Sequence, residues 1–179
     1  MNNRGFTIIE LVLVIIVAAI IAAVAVPKFA QYWAGIKAGS AAMKIASDIR
    51  YAQNRATTTQ QRTRVNFTST TTYNIQSCPF AAPYNTTTCK CPDPADNQWA
   101  YATNPLGGGI FSINLSTSTE FVDVQISAMP TWLEFDSLGK PYVNTSGCST
   151  TGGTTFTVSY SSSTKTIAVA TQTGMVSVN

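Results

Sequence analysis

The run from Phe6 to Val26 constrains the fold of this chain more than any other stretch, because Glu10 is its only charged residue. Folded as an α-helix, these twenty-one residues are roughly 31 Å long, which is close to the hydrocarbon thickness of a bilayer. A carboxylate one turn inside such a span costs about 2 to 4 kcal/mol unless a partner neutralises it. The run therefore predicts a membrane-spanning helix in which Glu10 has a functional role.

The charges on either side of this run predict its orientation. Arg4 lies before it in a short leader, and Lys28 follows it. The rule that governs the orientation of membrane helices then places Met1 in the cytoplasm and everything after Pro27 outside. We expect a single-pass protein whose main domain is extracytoplasmic.

The junction between the leader and the apolar run carries a specific pattern, Arg4-Gly5-Phe6-Thr7-Ile8-Ile9-Glu10-Leu11. In these residues the chain resembles the type IV prepilins, the subunits of type IV pili and of type II secretion pseudopili. The resemblance implies that a prepilin peptidase cuts after Gly5 and that Phe6 becomes an N-methylated N-terminus. It also implies that the Glu10 carboxylate pairs with the N-terminal amine of a neighbouring subunit, which sets the register during assembly.

The same resemblance implies a set of partners and a location. The partners are other pilin subunits, the prepilin peptidase, an inner-membrane assembly platform and, before assembly, membrane lipid. The subunit is expected in the bacterial inner membrane first, and afterwards in a periplasmic pseudopilus or an extracellular pilus. No cofactor is expected.

An ordinary secretory signal is the alternative interpretation of the N-terminal run. The residues Ala23-Val24-Ala25, followed by Val26-Pro27, form a small-residue pattern that would place cleavage after Ala25. We prefer the prepilin interpretation, because the apolar part of a secretory signal is shorter than this run and should not contain Glu10.

The composition argues against catalysis. Charged residues are 11% of the chain and there is no histidine, which excludes Ser-His-Asp and Cys-His catalysis and zinc sites with histidine ligands. Seven carboxylates remain outside the span. The net charge of +3 is too small to indicate nucleic-acid binding by itself. We therefore predict a protein that is not an enzyme.

The cysteines predict disulfides, because all four lie on the extracytoplasmic side, where disulfides persist. They are Cys78, Cys89, Cys91 and Cys148. A bridge between Cys89 and Cys91 would be strained, so both remaining schemes join Cys78 to one member of that pair and Cys148 to the other. The lack of histidine and of any Cys-x-x-Cys pair argues against the alternative, a metal site.

The pattern along the chain predicts an α+β fold, in which a long N-terminal helix packs on an antiparallel sheet. Residues 1–5 are the leader, residues 6–57 the helix, with 6–26 in the membrane, and residues 58–179 a β-rich head. Apolar residues recur at helical spacing on one face of the second half of the helix; they are Ala38, Ala42, Ile45, Ile49, Ala52 and Ala56. Pro27 should kink the helix or end its first half.

The helix also contains small residues at a spacing that permits close helix approach, namely Gly35 and Gly39 with Ala38 and Ala42. We expect such a face to be useful in a packed filament, whereas in an isolated protein the two glycines would mark only flexibility.

Alternating residues predict several short strands in the head. Val65 and Phe67 should face inward with 72–75 as their partner, and residues 77–109, rich in proline and holding three cysteines, should form a loop. Later strands are expected at 132–135 and at the end of the chain from Met175. Val122, Val124 and Ile126 should share one face of a strand. Phe156, Val158 and Tyr160 should share a face of another strand, which is followed by a hairpin loop at 161–164 and a returning strand with Ile167 and Val169.

Further segments are similar to the minor-pilin branch that includes the H-type pseudopilin of type II secretion and relatives in mannose-sensitive haemagglutinin systems. They are residues 47–56, 64–67, 133–136, 139–141 and 173–176. This similarity implies a minor subunit, although a major pilin stays an open alternative.

Nucleic-acid capture by a minor pilin is the competing function. Between Lys28 and Arg64 there is one acid, Asp48, and seven basic residues: Lys28, Lys37, Lys44, Arg50, Arg55, Arg62 and Arg64. Such a strip can contact phosphates, with Arg62 and Arg64 as the candidate contacts. We favour a solvated helix face, because these charges are spread along the helix without clustering.

Overall fold

The structure, a computed structural model, describes residues 7–78, 99–105, 107–143 and 150–179. Its main element is α1, a single helix over Ile8–Thr59. Thr7 caps its N-terminus, and Gln60 ends it in the left-handed conformation with φ 55°. The helix continues through Pro27, which confirms the prediction of one long helix and contradicts the alternative that this proline ends its first half.

The second half of α1 packs on the head through the predicted stripe. All six residues of that stripe are fully buried, as are Ala41 and Ala46 beside them. Because Ala38 and Ala42 are both buried by the head of the same chain, they do not form one free face with Gly35 and Gly39. The prediction of a single small-residue face for other helices is therefore wrong.

The first sheet of the described residues is antiparallel and has the order β3-β2-β1-β6-β7-β8, with β4 also paired to β2. Its strands are β1 (Thr63–Phe67), β2 (Thr72–Ser77), β3 (Ala100–Tyr101), β4 (Ser112–Asn114), β6 (Trp132–Phe135), β7 (Pro141–Val143) and β8 (Thr150–Thr151). Val65 and Phe67 are buried as predicted, and residues 72–75 pair with β1 in the predicted antiparallel sense.

The second sheet has the order β11-β10-β9-β5. Its strands are β5 (Gln125–Ser127), β9 (Thr154–Tyr160), β10 (Ser163–Val169) and β11 (Val176–Val178). In the sequence, a short 3-10 helix at Leu115–Thr117 lies between β4 and β5. The predicted α+β architecture is confirmed, since α1 packs on β1 and β6 of the first sheet and on β9, β10 and β11 of the second.

One aromatic cluster joins the two sheets inside the core. The ring of Phe67 in β1 lies 5.5 Å from that of Phe156 in β9 in an edge-on arrangement, and 5.9 Å from that of Tyr73. The Ile126 N–H of β5 donates to the Thr70 carbonyl at 2.7 Å. Both sheets therefore share one core beneath α1.

Several predicted details are wrong. Ala100–Tyr101 forms β3 and Thr103 bridges Ile110, so the predicted loop at 77–109 contains β structure. Val122 is exposed because it precedes β5 in a turn where Asp123 has a φ of 67°.

Two other boundaries also move. The hairpin between β9 and β10 turns at Ser161, whose φ is 54°, and β10 already begins at Ser163, earlier than the predicted end of the loop. Met175 is exposed and precedes the last strand.

Candidate assembly site and its supporting contacts

The candidate assembly site lies at the first turn of α1. The Thr7 hydroxyl accepts a hydrogen bond from the Glu10 N–H at 3.3 Å. Thr7 and Glu10 have the spacing of a capping box, and an acid here also interacts favourably with the helix dipole. The Glu10 side chain is exposed, and no residue of the described ranges forms an ion pair or hydrogen bond with its carboxylate.

The first half of α1 is an exposed apolar rod. Every residue from Ile8 to Ala23 is exposed, and α1 is long and apolar enough to cross a membrane by length and composition. Its aromatic residues Phe29, Tyr32 and Trp33 lie just beyond the predicted span and are also exposed, and their place in an aromatic belt at the outer headgroups stays a prediction.

Most of the remaining predicted site residues lie outside the described residues. Gly5 and Phe6, the predicted cleavage and methylation site, belong to this group, as do Cys89, Cys91 and Cys148. Cys78 is buried next to the end of β2 and is disulfide-bonded. Which cysteine pairs with which stays a prediction.

A buried polar cluster fixes α1 against the first sheet. Both carboxylate oxygens of Asp48 lie 2.6 Å from the Lys44 ammonium, one helical turn earlier. The Tyr73 hydroxyl donates to Asp48 Oδ2 at 2.6 Å. Burial, and next the negative charge of Asp48, raise the pKa of Tyr73 well above its usual value, so the phenol stays a hydrogen-bond donor.

A second contact ties α1 to both sheets at once, and we call it the Gln53 bridge. The Gln53 amide nitrogen donates to the Gly139 carbonyl at 2.9 Å and to the Thr173 carbonyl at 2.8 Å. The first carbonyl belongs to the turn between β6 and β7, and the second to the turn before β11. One turn earlier, the Arg50 guanidinium donates to the Val176 carbonyl at 2.8 Å.

Two glycines, Gly139 and Gly174, allow the two turns to lie close to each other and to the Gln53 side chain. Gly139 and Gly174 have φ values of 79° and 67°, which favour glycine. A Cβ on Gly174 would lie 2.5 Å from the Gln53 amide nitrogen and 2.7 Å from the Gly139 carbonyl oxygen. The segments at 139–141 and 173–176, which the sequence links to the minor-pilin branch, therefore meet at one helix side chain.

The two arginines predicted as nucleic-acid contacts both have partners within the head. Arg62 pairs with Glu134 at 2.7 Å, and that carboxylate is only 1% exposed. The Arg62 guanidinium also lies 4.6 Å above the Tyr142 ring. Arg64 donates to the Gln76 side chain at 2.7 Å and lies 4.2 Å above the Trp99 ring.

The pKa of Tyr142, whose ring lies beside this ion pair, is also shifted. Burial, and next a hydrogen bond to Asp136, raise the pKa of Tyr142, and the nearby Arg62 opposes the rise. These contacts give both arginines structural roles, and nucleic-acid binding through them stays a prediction.

Asp48 and Gln53 organise the contact between α1 and the sheets but were not predicted from the sequence. A signal for Asp48 is present, since it lies beside the buried stripe with a lysine four residues earlier, at the spacing of a helical ion pair. A corresponding signal for Gln53 is weaker, because its partners are backbone carbonyls far away in the sequence.

Comparison with known families gives two matches. Residues 41–174 match the family described as type II transport protein GspH, which is about three quarters of the chain. Residues 1–26 match the prokaryotic N-terminal methylation motif. No curated protein sequence matches the chain.

Among solved structures, the type IV minor pilin FimU of Pseudomonas aeruginosa resembles the chain in two crystal forms. In the first, the match covers 79% of this chain and 87% of FimU, with 10% identity and a TM-score of 0.48. In the second, it covers 79% and 91%, with 10% identity and a TM-score of 0.46.

Proposed function

Because the chain belongs to the family of the type II transport protein GspH, we propose that it is a minor subunit of a type IV pilus or a type II secretion pseudopilus, cleaved after Gly5 and methylated at Phe6. Members of this family are structural subunits that assemble with other pilins, and they are not enzymes. The methylation motif at residues 1–26 and the apolar start of α1 belong to a membrane-anchored pilin that later joins a filament.

One observation carries this proposal. The first half of α1 exposes a continuous apolar surface that the head does not cover, and its single carboxylate, Glu10, has no partner among the described residues. An exposed apolar surface of this extent marks a membrane or protein interaction site. The rod therefore needs lipid first and other helices later.

In this mechanism Glu10 selects the register of assembly. Inside a bundle of apolar helices its carboxylate costs about 2 to 4 kcal/mol when unpaired. The freed amine of Phe6 on a neighbouring subunit is a positive group that can meet it. Only registers that bring the two together avoid the cost, so Glu10 works against misaligned packing.

Before assembly, the subunit is stored in the inner membrane with its leader in the cytoplasm. The leader-side position of Arg4 supports this topology. The prepilin peptidase acts on the cytoplasmic side, and the assembly platform then moves α1 out of the lipid into the filament.

The mature N-terminus tests the processing step. Mass spectrometry of the chain from its native membrane should give a polypeptide that begins with N-methylated Phe6. A chain that begins at Val26 would contradict the proposal, because it would show that the apolar run is a discarded secretory signal.

Assembly is tested by Glu10→Gln, which keeps the size of the side chain and removes its charge. We expect incorporation into filaments to fall about tenfold for every 1.4 kcal/mol of pairing that is lost. Glu120→Gln makes the same chemical change at an exposed position of the head and should assemble normally. Equal incorporation of both variants would remove the role proposed for Glu10.

A further inference from the structure

A groove of about 400 Å³ lies between α1 and the hairpin of β9 and β10, and we call it the hairpin groove. Most of the side chains that line it can donate hydrogen bonds, and none is a carboxylate. The polar residues are Gln31 and Tyr32 on the helix, and Ser163, Thr164 and Lys165 on the hairpin. The groove therefore has the lining of a site for an anion.

The hairpin groove lies at the end of the head that is nearest to the predicted span. Ala34 is the first buried residue of α1. At the next position, a Cβ on Gly35 would lie 3.8 Å from the Ser163 hydroxyl oxygen. The start of β10 therefore meets α1 where the exposed rod ends and the packed half begins.

The depth of the groove corresponds to the headgroup layer of a bilayer. Gln31 lies five residues beyond Val26, which is about 8 Å past the predicted end of the span along the helix axis. The headgroup layer is roughly 5 to 8 Å thick on each side. Lys28 is exposed and precedes Gln31 by three residues, so both lie on the same side of the helix. The lower end of the groove is thus at the level of lipid phosphates.

The polar groups of the groove are available to a ligand. Within the described ranges, the side chains of its five polar residues form neither hydrogen bonds nor ion pairs. Tyr32 is 66% exposed, and Thr164 is exposed as well. An ammonium group surrounded by hydroxyl and amide donors is a suitable partner for phosphate oxygens.

A second groove at a similar level provides a comparison. It has a volume of about 280 Å³ and contains Lys37, but Trp33 and Phe121 also line it and Glu120 places a carboxylate there. The Lys37 ammonium lies 4.2 Å above the Tyr160 ring. Lys37 therefore has a different environment from Lys165, although both carry the same charge close to the membrane.

We propose that the hairpin groove binds the phosphate of an anionic phospholipid headgroup in the leaflet next to the head, with Lys28 and Lys165 as its positive contacts. This inference rests on the proposed function, because it requires a subunit that is anchored in the membrane before assembly. It concerns a site on the head and is independent of Glu10. The bound lipid holds the head at one position on the membrane surface until α1 is extracted.

The first experiment measures lipid retention. Native mass spectrometry of the full-length chain, titrated with phosphatidylglycerol in a neutral detergent, should show one retained lipid. Lys28→Gln and Lys165→Gln should each weaken retention about fivefold, since a lysine near a membrane surface contributes about 1 kcal/mol. Thr164→Val, which removes a donor without changing the charge, should also weaken it.

Lys37→Gln is the matched control, because it removes the same charge from the other groove, and it should retain the lipid like the wild type. Equal losses in Lys37→Gln and Lys165→Gln would overturn the inference, since diffuse attraction would then explain the binding.

The second experiment identifies the source of the phosphate. Hydrogen exchange at residues 161–164 should be slower in nanodiscs that contain phosphatidylglycerol than in nanodiscs of phosphatidylcholine alone, and Lys165→Gln should remove the difference. Inorganic phosphate or a short DNA duplex, added to the phosphatidylcholine nanodiscs, should not slow the exchange. Protection by either of them would overturn the assignment to lipid.

The two proposals fail in different ways. A mature chain that begins at Val26 lacks the anchor, and the proposed function then fails. A mature chain that begins at Phe6 but shows the same exchange in both kinds of nanodisc overturns only the lipid site.

Discussion

The Tyr73 hydroxyl donates a 2.6 Å hydrogen bond to the Asp48 carboxylate between α1 and the first sheet. Tyr73 is fully buried and Asp48 is 6% exposed. Together with Lys44, they form a polar cluster within an otherwise apolar interface. Such a cluster stabilises a fold only while all its members are paired.

Removing the carboxylate should therefore destabilise the head. Asp48→Ala leaves the buried Tyr73 hydroxyl without its acceptor, and we expect the free energy of unfolding to fall by about 1 to 3 kcal/mol. Denaturant titration of the full-length protein in detergent measures this change. Ser47→Ala, at the exposed neighbouring position, should unfold like the wild type, and an Asp48→Ala variant of equal stability would contradict the role of the cluster.

The pKa of Tyr73 predicts a loss of stability in alkali. Burial and the charge of Asp48 raise the folded-state pKa, whereas the unfolded chain loses this proton near pH 10. The contribution of Tyr73 is complete below about pH 10 and is lost as the pH rises through the folded-state value, by about 1.4 kcal/mol per pH unit. Unfolding midpoints measured across this range should fall more steeply for the wild type than for Tyr73→Phe, and parallel curves would refute the assignment.

The Gln53 bridge should stabilise the junction of α1 with both sheets. Gln53→Ala removes the donor of two hydrogen bonds to backbone carbonyls, and we expect a loss of about 1 to 3 kcal/mol. Hydrogen exchange should also become faster in the segment before β11 than in β1. Asn54→Ala, at the exposed next position, serves as the control, and an unchanged exchange rate in Gln53→Ala would show that the bridge contributes nothing.

Arg62 should behave as a structural residue. Arg62→Ala removes the ion-pair partner of Glu134, which is 1% exposed, and breaking such a pair costs about 3 to 5 kcal/mol. Arg62→Ala/Glu134→Gln should recover part of this loss. Unfolding experiments measure both, and DNA titrations at several salt concentrations provide the comparison. A stable Arg62→Ala variant that has lost salt-dependent DNA binding would instead support nucleic-acid capture.

Periodic patterns of apolar residues predicted the packed face of the helix and some of the strands. The stripe from Ala38 to Ala56 predicted the packed face of α1, because burial on a helix follows a period of about 3.6 residues. Alternation predicted β1 and β9, because successive side chains of a strand point to opposite faces of the sheet. The family resemblance came from the short pattern around Gly5 and Glu10, which agrees with the match at residues 1–26.

Contacts between distant segments were not predictable in this way. Gln53 meets carbonyls 86 and 120 residues later in the chain, and no periodicity reports such pairs. The division of the strands into two sheets depends on which strands pair with each other, and local alternation does not report this. The hydrogen bond from the Ile126 N–H to the Thr70 carbonyl, which connects the two sheets, is likewise a contact between distant segments. The exposure of Val122 follows from a left-handed turn at Asp123, which a strand pattern does not reveal.

The unbroken course of α1 has a mechanical consequence. A pull on the apolar rod has no hinge loop to straighten, because one helix of 52 residues runs from the rod into the head. Tension therefore reaches the Arg50 and Gln53 contacts directly and loads them in shear together with the packed stripe. A subunit built in this way transmits force from the rod to both of its sheets without an intervening linker.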